Sequence, residues 1–188
     1  MNNPSERPSC RGLVITVSGL HGSGRSTHAL KLAEAFGLRY VSSGTIFRQM
    51  AEERELSLEE LSKLTDEDPE LDKVIDERAR EESAKGEVVI DATLSGWMAK
   101  DPDIRIFLTT PFESRIRRIA DREGISYEEA KRETVVREES ESERFLKFYD
   151  VDIKDLSIYD VVLNTDLFKP KGTARILKRV VEEYCSAG

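Results

Sequence analysis

At 188 residues the chain is long enough for one full domain, which at this size needs neither disulfides nor a metal to fold. Its 29 lysines and arginines stand against 37 acidic residues, a net charge of -8, which excludes a general nucleic-acid binder but leaves room for one basic pocket that takes a single nucleotide. No apolar run reaches the ~20 residues of a membrane helix, and Cys10 and Cys185 lack a metal-ligand spacing, so they read as two inert thiols of a reducing cytosol.

Residues 1–12 read as a disordered leader, polar and without the apolar segment of a signal peptide. Leu13 to Val17 is an apolar, β-rich run closed by glycine, the pattern of a buried parallel strand. A helix is predicted from Ser26 to Phe36, with Ala29, Leu30 and Ala33 on its apolar face and Gly37 as its stop. Arg39 to Val41 gives a second strand. Ser57 and Glu60 have the spacing of a capping box that starts a helix near Leu58. Asp66 to Pro69 punctuates, and a helix follows from Glu70 to Ala84, ended by Gly86. Val88 to Asp91 and Ile104 to Thr109 are the third and fourth strands. Pro111 opens a helix to Glu123, stopped by Gly124. Ser126 with Glu129 is a second capping box, and begins a long charged helix to Tyr149. Tyr159 to Asn164 is the fifth strand, and a helix from Thr173 to Tyr184 closes the chain. Apolar strands alternating with helices predict an α/β fold whose parallel sheet is covered on both faces. Ligands of such sheets bind at the carboxyl ends of the strands, which directs attention to the residues just after each one.

After the first strand come Gly19, Leu20, His21, Gly22, Ser23, Gly24, Arg25, Ser26 and Thr27. They fit the phosphate-loop pattern GxxxxGK[ST] at every fixed position but one, where Arg25 replaces lysine. Glycines let successive backbone N–H groups turn inward around phosphate oxygens, and the following helix adds its positive end. A cation at position 25 reaches the β- and γ-phosphates of ATP, and the Ser26 hydroxyl can ligate Mg²⁺. An arginine there keeps the charge but is planar and longer than lysine. Arg48, just past the second strand, is placed to grip an acceptor phosphate. Asp91, at the tip of the third strand, suits a Mg²⁺-bound water or the orientation of an acceptor. Arg137, Glu141 and Arg144, four and three residues apart, share one helical face. From Glu113 to Lys147 nine basic side chains meet ten acidic ones, so a salt-bridged surface helix is the plain alternative there.

The segments Ser43-Gly44-Thr45-Ile46-Phe47-Arg48 and Leu94-Ser95-Gly96-Trp97-Met98, followed by Arg137, Glu141 and Arg144, resemble the archaeal-type cytidylate kinases over Leu13 to Glu183. The resemblance implies a P-loop kinase three-layer fold for 13–188, with a five-stranded parallel sheet, a helical acceptor-binding insert at 42–85 and a short lid at 124–150. It implies transfer of the γ-phosphate of ATP to CMP, and also dCMP, giving CDP and ADP. Mg²⁺ is the implied cofactor, in a cytoplasmic monomer with no nucleic-acid or membrane partner. Residues 19–27 would bind ATP, Ser26 and Asp91 the metal, and Arg25, Asp91, Arg137 and Arg144 would serve catalysis. Ser43, Gly44, Arg48, Thr93, Gly96, Trp97, Arg118 and Glu141 would form the acceptor site, with Trp97 reading equally well as core. Thr93 departs from the family, which carries an arginine two residues after the strand-end acid. With threonine there, either the acceptor phosphate is held more weakly or another cation, Arg48 or Arg118, supplies the contact; a high KM for CMP is expected, which Thr93→Arg should lower. Two alternatives remain open: a P-loop kinase for another nucleoside monophosphate or small metabolite, and a non-catalytic ATP-binding regulator, which Arg25 raises.

Overall fold

The computed structural model describes residues 12–58, 60, 61, 64 and 70–187. Five strands, β1 (Val14–Ser18), β2 (Arg39–Ser42), β3 (Val88–Asp91), β4 (Ile104–Thr109) and β5 (Val161–Asn164), form one parallel sheet in the order β2-β3-β1-β4-β5. The helices are α1 (Arg25–Phe36), α2 (Ser43–Glu53), α3 (Glu70–Ala84), α4 (Ser95–Met98), α5 (Phe112–Glu123), α6 (Tyr127–Tyr149) and α7 (Pro170–Ala187).

Strand β1 is buried along its whole length because it sits between β3 and β4 with helices on both faces. On one face Ile15, Val17, Ile106 and Leu108 pack against Ala29, Leu32 and Ala33 of α1 and Leu177 and Val181 of α7. On the other, Val14, Val88 and Ile90 meet Ile46 and Met50 of α2 and Ile75 and Ala79 of α3. The three-layer architecture follows from those two apolar interfaces. A third cluster, Ile116, Ile119 and Ala130, joins α5 to α6. A fourth joins Leu94 and the α4 segment to Phe145 and Val151.

The helix at 43–53 falls within the helical insert expected at 42–85, and Ser42 and Thr45 cap it reciprocally: the Thr45 N–H donates to Ser42 Oγ, and the Ser42 N–H to Thr45 Oγ1. In α1 the apolar face runs through Leu32, and Leu30 is exposed. The fifth strand starts at Val161. Tyr159 lies before it, its ring against that of Phe107 at 5.0 Å between centroids, and Asp160 accepts the Arg105 N–H. The last helix begins at Pro170, whose fixed φ suits a first helical turn. The Ser57–Glu60 capping box is present, while the Asp66–Pro69 punctuation and residues 1–11 of the expected leader lie outside the described residues. Cys185 is disulfide-bonded, not the free thiol expected of it; the chain's other cysteine, Cys10, lies outside the described residues. Among the described residues no helix is long and apolar enough to cross a membrane.

His28 is buried in α1, and its Nδ1 has no hydrogen-bond partner among the described residues. Burial, reinforced by Lys31 and Arg118, lowers its pKa from 6.5 to about 4. The unfolded chain therefore takes the proton first. Stability from this site is complete above pH 6.5 and is lost as pH falls from 6.5 towards about 4. His28→Phe is expected to flatten the dependence of Tm on pH across that window; an unchanged slope would assign the acid sensitivity to another group.

Candidate functional site

The central strand β1 delivers the loop 19–24 to the carboxyl edge of the sheet, and α1 begins at Arg25. Two glycines are forced by close approach. A Cβ at Gly19 would lie 2.4 Å from the Leu108 carbonyl oxygen, and one at Gly22, where φ is +79°, 2.6 Å from the Arg115 carbonyl oxygen. The loop is also braced from outside. Arg115 donates to the His21 carbonyl at 2.9 Å and makes a two-pronged ion pair with Glu138 of α6. Thr165 Oγ1 donates to the Ser23 carbonyl at 2.8 Å, and Arg118 in turn donates to Thr165 Oγ1 and Asp166. Inside the loop is a cavity of about 100 Å³, lined by Leu20, His21, Gly22, Gly24, Arg25, Ser26, Thr27 and also Arg122. Arg122 was counted among the charges of its segment but not singled out. It stands near the end of a helix that only the folded chain swings over the loop.

Arg25 reaches across to the tip of β3. Its Nε lies 2.5 Å from Asp91 Oδ1, and its Nη1 donates to the Gly19 carbonyl at 2.8 Å and to Thr93 Oγ1 at 2.9 Å. The Tyr40 hydroxyl donates to Asp91 Oδ2 at 2.6 Å. Burial first, then the Asp91 carboxylate, raise the Tyr40 pKa above its usual value, so the phenol keeps its proton. Tyr40 also touches Ser26 and Ser42, so the Ser26 hydroxyl and the Asp91 carboxylate meet around one phenol. No sequence signal marked Tyr40. Its part depends on register: β2 pairs with β3 so that Ser42 faces Asp91, and Tyr40, two residues earlier, falls on the same side.

A second cleft, of about 190 Å³, opens between the loop and α6, and is lined by His21, Arg25, Ser43, Ile75, Asp76, Ala92, Thr93, Leu94, Arg137, Glu141, Arg144 and Phe145. His21 Nε2 lies 3.0 and 3.1 Å from the two oxygens of Glu141, and Arg137 Nε donates to the same carboxylate at 3.0 Å. Burial alone would raise the Glu141 pKa, but His21 and Arg137 more than offset it and hold the carboxyl at about 2. At the far end of α6 the Tyr149 hydroxyl donates to Asp76 of α3 at 2.7 Å, and the Lys73 ammonium stands 4.9 Å from the Phe148 ring centroid. A larger cavity, of about 520 Å³, lies on the other side of α6 among Leu20, Phe107, Ile153 and Leu156. Glu138, Glu139 and Glu143 line it with Lys154 as the one cation, whereas the smaller cleft carries Arg25, Arg137 and Arg144 and is the better seat for phosphate chemistry.

Ser43, Thr93 and Glu141 thus stand together as expected, with Arg137 and Arg144 on the same wall. Five residues expected beside them do not. Gly96 is buried, with the Tyr159 ring so close that an added Cβ would lie 2.6 Å from it. Trp97 packs with Leu94, Phe145 and Val151 beneath the cleft, and Ala92, Thr93 and Leu94 present that segment to it instead. Arg118 is turned to Thr165 and Asp166 beside β5, at the opposite edge of the sheet from β2 and β3. Arg48 is exposed, makes no hydrogen bond or ion pair among the described residues, and like the exposed Gly44 is not part of the lining. No group of three His, Cys, Asp or Glu among the described residues could form an all-protein metal cage. Of the pair expected to hold Mg²⁺, Ser26 opens α1 at the loop cavity, and Asp91 has one oxygen on Arg25 and the other on Tyr40.

Comparison with known proteins gives a consistent result. The model of the cytidylate kinase-like family matches residues 14–167. A cytidylate kinase of Pyrococcus horikoshii is 46% identical over 94% of this chain and 92% of its own. One from Ignicoccus hospitalis is 47% identical over 89% and 98%. Among solved structures, TT1252 from Thermus thermophilus aligns with a TM-score of 0.62 at 21% identity, over 92% of this chain and 98% of that one. Shikimate kinase from Bacteroides thetaiotaomicron aligns with a TM-score of 0.59 at 15% identity, over 90% and 98%; likenesses this remote bear on the fold alone.

Proposed function

This chain belongs to the cytidylate kinase-like family, and from that premise we propose that it transfers the γ-phosphoryl group of ATP to CMP, and to dCMP, giving CDP or dCDP and ADP. The observation that carries the reading is the junction of two cavities. The phosphate loop and the cleft under α6 share His21 and Arg25, so a donor phosphate in one can face an acceptor phosphate in the other.

Phosphoryl transfer asks the protein for alignment and charge neutralisation more than for covalent chemistry. In this reading the amides of residues 19–27 and the start of α1 hold the ATP phosphates, and Arg25 stands at the junction. Ser26 and Asp91 hold Mg²⁺, which when bound neutralises charge on the phosphate oxygens. Tyr40 and Arg25 fix the Asp91 carboxylate from two sides. Residues 42–85 serve as the acceptor-binding insert and 124–150 as the lid, with Arg137, Glu141 and Arg144 facing the acceptor. Ser43 and Thr93 line the acceptor side.

The test is ADP release with ATP, Mg²⁺ and each nucleoside monophosphate in turn. CMP should turn over best, dCMP next and AMP poorly; equal use of AMP would reject the cytidylate assignment, and ATP binding without any acceptor-dependent turnover would favour a regulator. The lid has its own test. Arg137→Ala and Arg144→Ala should each lower kcat more than they raise the KM for ATP, because closure is complete only near the transition state. Unchanged kcat in both would leave α6 as a salt-bridged surface helix.

A further inference from the structure

The cleft has two chemically different ends, and the second contains an acid that phosphate binding does not require. The loop end carries His21, Arg25 and Arg137. The other end is walled by Ile75 and Asp76 of α3 and by Phe145 of α6. The hydrogen bonds along α6 give the axis: Glu141 faces His21 of the loop, and Tyr149, eight residues on, faces Asp76. At ~1.5 Å per residue those ties lie about 12 Å apart along the helix, room for a nucleotide laid phosphate to loop and base to α3.

At the phosphate end the carboxylate of Glu141 is paired with His21 and Arg137, which offset its charge. At the base end the Asp76 carboxylate is an acceptor that discriminates. Cytosine carries a 4-amino group that donates hydrogen bonds, whereas uracil carries a carbonyl oxygen at the same position. An ionised carboxylate accepts from the first and repels the second. Asp76 is half-buried, and the Tyr149 hydroxyl at 2.7 Å fixes its position. Ile75 and Phe145 offer apolar surface for a pyrimidine ring beside it.

We propose that Asp76, positioned by Tyr149, accepts a hydrogen bond from the 4-amino group of the acceptor base and thereby selects cytosine over uracil nucleotides. The inference rests on the phosphotransferase reading above and assigns the base-recognising group within that site.

The full chain is assayed with ATP and Mg²⁺ against CMP, UMP and the 4-deamino analogue of CMP, the pyrimidin-2-one riboside 5′-monophosphate. The native protein should prefer CMP to both. Asp76→Asn should shrink the CMP-to-UMP ratio of kcat/KM by about ten- to a hundred-fold, the range for losing one charge-assisted hydrogen bond. Tyr149→Phe keeps the carboxylate but unties it, and should shrink the CMP-to-analogue ratio by a smaller factor. A folded Asp76→Asn protein with an unchanged CMP-to-UMP ratio overturns the proposal. If Asp76→Asn fails to fold, Tyr149→Phe decides it, and an unchanged CMP-to-analogue ratio overturns it. A native protein that turns over no CMP is a different result: it overturns the functional reading itself, before any variant is made.

Discussion

Arg25→Ala is expected to lower kcat by about 10²–10³-fold, the usual cost of removing one preorganised group that stabilises transition-state charge. A near-normal rate would assign that neutralisation to Arg137 and Arg144. Steady-state kinetics with saturating ATP and CMP measures it. The geometry adds a sharper version. One guanidinium holds Asp91, the Gly19 carbonyl and Thr93 at once, a fork that a lysine ammonium cannot reproduce. Thr93, which on sequence alone reads as a weakened acceptor grip, here accepts a hydrogen bond from Arg25 and leaves space for it. Thr93→Arg would set a second guanidinium against the first. The expectation that this substitution improves CMP binding is therefore reversed: alone it should lower kcat/KM. Combined with Arg25→Lys it should recover activity lost by both single changes, with a coupling in the ~0.5–3 kcal/mol range of contacting residues. Additive losses would show that positions 25 and 93 act independently.

Arg115 carries the largest expected effect on stability. The residue is 5% exposed, and its guanidinium pairs with Glu138 by two hydrogen bonds and supports the His21 carbonyl. Arg115→Met leaves a carboxylate and a loop carbonyl without their partner. Breaking a buried pair from one side costs about 3–5 kcal/mol. Urea unfolding should show that loss in the midpoint without a change in slope. A loss below ~1 kcal/mol would mean that Glu138 swings into water and the loop stands without the brace.

The strands and most helices were legible because each is a local pattern. Val88–Ile90 is an unbroken apolar run before Asp91, Ile104–Leu108 is apolar but for Arg105, and Gly37 and Gly124 end their helices in the left-handed conformation that glycine permits. The phosphate loop was legible for the same reason: its chemistry lies within nine consecutive residues. The acceptor side was not, because it is assembled across the sheet. Gly96 and Trp97 belong to a segment whose chemical neighbours, Ser95 included, turn towards β1 and Tyr159: Ser95 Oγ and the Gly96 N–H both meet Ser18 Oγ. Tyr40 gains its role from strand register, Arg122 from the crossing of α5 over the loop, and Asp76 from contact with a helix that follows more than forty residues later. Arg118 has a suitable charge but lies beside the wrong strand.

Although β1 precedes the other four strands in the chain, it has no partner until β3 and β4 exist, since β2 pairs only with β3. The loop it carries waits longer. Arg25 needs Asp91, His21 needs Arg115, and the Ser23 carbonyl is closed by Thr165, 142 positions downstream. A nascent chain on the ribosome therefore holds an unfinished nucleotide cradle until β5 and Thr165 have emerged. Such long-range closure slows folding. It also means that ATP cannot act as a template for early intermediates, and that it should rescue refolding only after the fifth strand has docked.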